Sequence, residues 1–172
     1  MYSRVRSSVT DDLTQLYNSR YLSQVLHRET KRAMRSGRPL SLLFIDLDGF
    51  KGINDSHGHL FGSRALVEAA DVIRINARET DVVARFGGDE FALVLPDTST
   101  AGAVAVGERI RDRIAVHPFL EREGLDIRLT ASVGVATLPN AAGSAEELIQ
   151  AADQAMYRVK EHGKNGIHVA GG

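Results

Sequence analysis

The sequence predicts an α+β sandwich in which helices cover a mostly antiparallel sheet. Three observations carry that expectation. Residues 41–45, Ser-Leu-Leu-Phe-Ile, form an apolar run without alternation. Two further apolar runs, 82–86 and 91–95, flank Gly87-Gly88 as the arms of a hairpin. Stretches with apolar residues at helical spacing separate these strands, giving the order α-β-α-β-β-α-β-α with a short last strand.

Residues 1–10 are polar and basic and read as a linker or the end of an upstream helix, with Arg4 and Arg6 in its tail; the domain proper is expected over 11–170. Asn18 caps a helix to about Arg35 whose apolar stripe is Tyr21, Leu22, Val25 and Leu26, and Gly37 and Pro39 end it. The unalternating run at 41–45 predicts a central strand buried on both faces, with Asp46 and Asp48 at its C-terminal end. A glycine-rich turn is expected over 49–58, then a helix from about Gly62 to Ala77 that turns Leu66, Val67, Ala70 and Ile73 inward. In the hairpin, Gly87 and Gly88 are expected to supply the positive φ of a two-residue turn. A helix over 100–116, an alternating strand over 127–136 and a helix to about His162 follow, the last opened by a Ser144/Glu147 capping box. Residues 167–169 add the last strand.

At 172 residues the chain has one domain's length, and 43% apolar with 25% charged residues is the composition of a soluble globular protein. A net charge of -1 gives no basic field for nucleic acid or a membrane surface, so neither is expected as a partner. The absence of cysteine excludes disulfides and thiolate metal sites and fits a cytoplasmic setting. No apolar run approaches the roughly 20 residues that span a bilayer, and no signal-peptide core opens the chain. The six histidines lack the i, i+4 helical pairing of zinc sites.

The chemistry lies in the acids. Asp89 and Glu90 directly follow the Gly-Gly turn, where a plain hairpin gains nothing from carboxylates, and Asp46 ends the central strand. If those strands are neighbours, like charges converge on one point and call for a hard cation between them. Mg²⁺ (or Mn²⁺) suits carboxylates combined with phosphate oxygens, an arrangement that phosphoryl transfer uses. Lys51 and the backbone N–H groups around Phe50 are donors for phosphates, and Lys160 and Lys164 lie nearly one helical turn apart by the end of the last helix. Complementing the dipole of that helix end is the alternative role for the two lysines.

These residues resemble the GGDEF nucleotidyl-cyclase family, over almost the whole chain. Residues 11–18, DDLTQLYN, are similar to the family's DxLTxLxN; 44–55 to its DxDxFKxxND segment; Gly58-His59-Leu60-Phe61-Gly62 to GHxxG. Arg85-Phe86-Gly87-Gly88-Asp89-Glu90-Phe91 carries the defining signature, residues 131–136 resemble SxGxA, and residues 155–165 the closing ALYxAKxxGRN run. The resemblance implies a palm-like fold and a catalytic set of Asp46, Lys51, Asp89 and Glu90. It implies metal ligation by Asp46, Asp89, Glu90 and the Leu47 carbonyl, with Asp89 also helping to activate an attacking 3′-OH. Phosphates would be held by Phe50, Lys51, Lys160 and Lys164, the last standing where the family has arginine. Asn54 would read the purine edge, and Arg78 with Asp81 resemble the family's inhibitory product-binding RxxD.

One position departs from the family. After Gly62 the usual residue is Asp, which accepts from guanine N1–H and the exocyclic amine; here it is Ser63. A hydroxyl donates as well as accepts, so it discriminates less against adenine than a carboxylate does. The substitution is similar to that of the hybrid promiscuous (Hypr) subgroup, and implies a synthase that joins GTP and ATP into 3′,3′-cyclic GMP-AMP with cyclic di-GMP as side product. A guanine-specific diguanylate cyclase and a non-catalytic nucleotide receptor are the alternatives. Serine is also a good helix N-cap, a role compatible with either product. A cyclic dinucleotide needs two nucleotides head to tail, so a homodimer is expected for catalysis, governed by an upstream regulatory domain.

Overall fold

The computed structural model describes residues 8–171, so the expectation for Arg4 and Arg6 lies outside the described residues. In chain order the elements are α1 (Ser19–Ser36), β1 (Leu40–Asp48), α2 (Phe50–His57), α3 (His59–Ile75), β2 (Val82–Arg85), β3 (Glu90–Pro96), α4 (Thr100–Val116), β4 (Thr130–Leu138), α5 (Ala145–Glu161) and β5 (Gly166–Val169). One sheet of order β2-β3-β1-β4-β5 joins the strands; every pairing is antiparallel except β4 with β5. The expected α+β architecture and central β1 are both present.

The pleat of β1 sorts its side chains to two cores. Leu43, Ile45 and Leu47 pack with α2, α3 and α4 on one face, beside Phe91, Leu93 and Val133. Leu40, Leu42 and Phe44 pack with α1 and α5 on the other, beside Ala92, Val94 and Met156. Asp46 and Asp48 continue the second set by alternation, which aims them toward α5.

Local structure follows the sequence closely in the long elements. Asn18 accepts from Tyr21 N–H to cap α1, and Gly37, at φ 74, closes it. Ser144 Oγ accepts from Glu147 N–H at 3.1 Å, but Glu147 returns its bond to Gly143 N–H rather than to Ser144. The stretch 49–58 is not a turn: it is α2, bounded by left-handed Gly49 and by Gly58, with Phe50 and Ile53 buried beneath it. Its glycines punctuate two helices end to end, and a two-residue apolar stripe is too short to show a period. Hence α3 starts at His59, three residues before the expected Gly62. The hairpin loop spans four residues, 86–89, and neither Gly87 nor Gly88 has a left-handed φ. A Cβ on Gly87 would come within 3.2 Å of the Glu90 carboxylate, whereas one on Gly88 would meet open space. β4 starts at Thr130, because Ile127 instead bridges Phe119 across a short connection.

At Gly134 the α5 backbone crosses β4 so closely that a Cβ would lie 2.2 Å from Ala152 O and 2.3 Å from Met156 N. Neither atom can swing aside, so Gly134→Ala should push α5 off the sheet. We expect a loss of at least about 2 kcal/mol, within the range of overpacked cores, read as a lower midpoint in urea unfolding; an unchanged midpoint would show that α5 is not seated as described.

Candidate active site

The acidic cluster forms where β1, the hairpin loop and α5 meet. Asp46 on β1 stands opposite Glu90 on β3, and Leu47 N–H donates to Asp89 O at 3.2 Å. The expected adjacency of the two acidic strands is therefore real. On the other side of β1, Asp46 and Asp48 stand opposite Ser132 and Thr130 of β4.

Asp48 is buried and saturated. Its carboxylate accepts from Thr130 Oγ1 at 2.7 Å, Ser132 Oγ at 2.8 Å, Asn165 N–H at 3.0 Å and Lys160 Nζ at 2.7 Å. Burial opposes its charge, but the bonds from Lys160, Thr130, Ser132 and Asn165 hold its carboxyl below the usual carboxylate range. Asp46 is the opposite case. Among the described residues its Oδ1 is buried without a hydrogen bond, and the Lys160 ammonium stands 3.4 Å away. Burial, and then the charge of Asp89, push its carboxyl up to about 6 despite that lysine. Glu90 rises to about 7, through burial and then the neighbouring carboxyl of Asp153 on α5, with Asp46 and Asp89 adding to it. Asp153 escaped the sequence reading; its helical position facing the sheet, seven residues before Lys160, was the only available signal.

The hairpin loop is clamped from outside. The Arg85 guanidinium donates to Gly87 O at 3.2 Å and to Gly88 O at 2.9 Å, and lies 3.3 Å from Asp11. Asp11 in turn accepts from Thr14 N–H and Thr14 Oγ1, which tightens the turn before α1. Tyr17 extends the sheet edge by accepting from Arg85 N–H at 2.9 Å. Both residues stand inside recognised motifs, yet their role shows only in three dimensions.

A cavity of about 290 Å³ opens from Asp89 and Gly88 toward Asn54 and Ser63, walled by Phe50, Leu66 and Leu13. Larger hollows of about 690 Å³ along α1 and about 640 Å³ near His117 touch none of Asp46, Asp89 and Glu90, so size does not select the site. Gly62 is what seats Asn54: a Cβ there would lie 1.8 Å from Asn54 Oδ1. No side chain caps the first turn of α2, which leaves the N–H groups at Phe50 and Lys51 free of a capping acceptor; Lys51 itself is exposed.

One expectation needs correction. Lys160 and Lys164 are not on consecutive helical turns, because α5 ends at Glu161 and Lys164 sits beyond it with left-handed backbone, φ 61. Gly163 breaks the helix, and the turn carries Asn165 N–H onto Asp48. Leu47 O, expected as a metal ligand, accepts from Lys160 Nζ at 3.3 Å. Arg78 and Asp81 are brought together, but with each other. The Asp81 carboxylate is wholly buried and accepts from Arg78 N–H at 2.9 Å and from the guanidinium at 3.1 Å, while Arg78 also donates to Thr98 Oγ1.

The donor set of Asp46, Asp89, Glu90 and the Leu47 carbonyl is all oxygen, with an orphaned buried acceptor and two carboxyls raised by burial and then by neighbouring carboxylates. That chemistry fits a hard divalent cation. Among the described residues no three acids or histidines are grouped closely enough to form a ready metal centre, and Lys160 lies 3.4 Å from Asp46.

A mostly antiparallel sheet that carries adjacent acids at the end of its central strand and in the next hairpin, with helices on both faces, is a palm-like α+β fold. The family model described as "Diguanylate cyclase, GGDEF domain" matches residues 8–166, and the chain belongs to that family. It is 39% identical over 161 residues to the response regulator PleD of Caulobacter vibrioides, covering 93% of this chain and 36% of PleD. With diguanylate cyclase DosC of Escherichia coli it shares 41% over 159 residues, covering 92% of this chain and 34% of DosC. The chain thus spans about a third of the length of these curated relatives. Among solved structures, the GGDEF domain of YfiN (TpbB) from Pseudomonas aeruginosa superimposes with a TM-score of 0.90 at 36% identity, covering 94% of each chain. The GGDEF domain of DgcB from Caulobacter crescentus, in complex with c-di-GMP, gives 0.91 at 30% identity, covering 99% of this chain and 100% of that one. No helix among the described residues is long and apolar enough to cross a membrane.

The raised carboxyls set a pH dependence. Glu90 takes its proton at about 7 when folded against an ordinary 4.5, so the folded state binds it more tightly and stability falls as pH rises through that window; Asp46 acts in the same sense up to about 6. We expect the melting temperature of the cation-free protein to drop between pH 5 and pH 8 by more than that of Glu90→Gln. Equal drops would contradict a raised, buried Glu90 carboxyl.

Proposed function

We propose that the domain is a diguanylate cyclase, condensing two GTP into cyclic di-GMP with a divalent cation, Mg²⁺ or Mn²⁺. The observation that carries this reading is the continuity of the acidic cluster, through Asp89, with the cavity of about 290 Å³ that reaches Asn54 and Ser63, in a chain of this family. Relatives named as diguanylate cyclases support guanine as the base.

In this reading Asn54 and Ser63 hold the base edge, and Leu66 and Phe50 wall its faces. The triphosphate lies over the start of α2, where uncapped N–H groups and Lys51 offer donors, with Lys164 reaching from the turn after α5. A cation bound by Asp46, Asp89, Glu90 and Leu47 O would supply charge neutralisation at the phosphates. Asp89, whose backbone carbonyl accepts from Leu47 N–H, would accept the proton of the attacking 3′-OH. One cavity holds one nucleotide, so two copies facing each other complete the reaction, each 3′-OH toward the other's α-phosphate. An upstream regulatory domain would set how often they meet. Product inhibition at Arg78 and Asp81 requires Arg78 to release Asp81, because both Asp81 oxygens are engaged and buried.

Ser63 favours a second reading. It stands in the cavity wall with Asn54, where a hydroxyl in place of a carboxylate leaves adenine unopposed. ATP would then be a co-substrate and cyclic GMP-AMP a product. This reverses the order that Ser63 alone suggested, since the named relatives support the guanine-only product.

Incubation of the purified, dimerised protein with Mg²⁺ and equal GTP and ATP separates the readings. We expect cyclic di-GMP as the main product; a majority of cyclic GMP-AMP would establish the second reading, and Ser63→Asp should then shift the ratio toward cyclic di-GMP. Asp89→Ala should abolish turnover with either base, and retained turnover would refute the metal assignment. Gly62→Ala, by displacing Asn54, should raise KM for GTP about tenfold or more, the worth of one misplaced base contact; an unchanged KM would remove Asn54 from the base site.

A further inference from the structure

Lys160 is the least expected member of the acidic cluster. Its side chain is 19% exposed, and its ammonium donates to Asp48 Oδ1 at 2.7 Å and to Leu47 O at 3.3 Å while standing 3.4 Å from Asp46 Oδ1. The ammonium gives two hydrogens to Asp48 Oδ1 and Leu47 O and pairs its charge with Asp46 Oδ1 without a hydrogen bond to it. In this arrangement its charge is directed into the β1 oxygens rather than toward a phosphate. Two of the three oxygens, Leu47 O and Asp46 Oδ1, belong to the set that fits a divalent cation. One set of lone pairs cannot serve both, and two positive charges at contact distance repel strongly in a half-buried site. The third oxygen differs. Asp48 is fixed by Thr130, Ser132 and Asn165 and has no part in the cation's donor set, so it can keep Lys160 as the other two are given up.

We propose that Lys160 is an internal counter-cation that competes with the divalent ion for Leu47 O and Asp46, and that nucleotide phosphates relieve the competition by drawing its ammonium away around Asp48. The proposal rests on the cyclase reading of the same site. Free cation then binds weakly, nucleotide and cation bind with positive coupling, and the coupling is the same read from either ligand.

Calorimetric titration of Mn²⁺ into the protein, with and without a GTP analogue carrying a non-reactive α,β-methylene bridge, tests this without any turnover. Lys160→Met keeps the stem and removes the charge. We expect it to bind Mn²⁺ about tenfold or more tightly than wild type without nucleotide, with the coupling to the analogue reduced toward none. Lys160→Gln, which keeps an N–H donor toward Asp48, should move the same way and guards against a folding defect, with melting curves reporting the fold of both. Unchanged or weaker Mn²⁺ binding in both folded variants, in a wild type that binds Mn²⁺ with the analogue, overturns the proposal alone. A wild type that binds no Mn²⁺ even with the analogue overturns the proposal and the metal site together.

Discussion

The acidic edge of this domain depends on the register between β1 and its two neighbours. Pairing Asp46 with Glu90 on one side and Ser132 on the other puts every one of these groups on the face that α5 covers. Side chains alternate strictly along a strand, so a slip of β1 by one residue would send Asp46 and Asp48 into the apolar core under α3 and α4, away from Glu90. The apolar members of the strands forbid that slip. Leu43, Ile45 and Leu47 are fully buried on one face and Leu42 and Phe44 on the other, and a slip would exchange all of them at once. Packing of the core thereby fixes the geometry of the charges.

With the register set, the balance of charge follows. Two β1 acids stand two residues apart on the same face yet behave oppositely. Asp48 has four donors and is held ionised; Asp46 has an orphaned oxygen and a raised carboxyl. The difference comes from β4 and the turn after α5, which spend Thr130, Ser132 and Asn165 on Asp48 alone. One acid is structural and the other is left with unspent capacity, which is the property a cation ligand needs. Gly134 matters to the same balance, because only a residue without Cβ lets α5 lie close enough to deliver Lys160 and Asp153.

Much of this was legible in the sequence because long elements carry redundant signals. The caps at Asn18 and Ser144, the unalternating run of β1 and the order of strands were all readable, as were the acids and the family they resemble. What was not legible was short or tertiary. The eight residues of α2 looked like a turn because glycines bound it and only Phe50 and Ile53 face inward. Gly87 and Gly88 suggested a tight turn, whereas they serve close approach to Glu90 and open space beside the cavity. Asp153 beside Glu90 and the Asp11–Arg85 clamp depend on partners dozens of residues away, and the Arg78–Asp81 pair, though local, is closed by burial and by Thr98, which no local pattern encodes. Lys160 was visible as a charge near a helix end, but its engagement with β1 was not.

The central proposal is that Asp46, Asp89 and the Leu47 carbonyl, with Glu90 beside them, form the seat of a catalytic cation. A crystal structure of the domain grown with Mn²⁺ and a non-reactive GTP analogue, with anomalous data collected at the manganese edge, tests it most directly. The account predicts an anomalous peak about 2.0–2.2 Å from oxygens of Asp46, Asp89 and Leu47, in contact with the phosphates. A bound analogue whose manganese lies away from these three groups would contradict it.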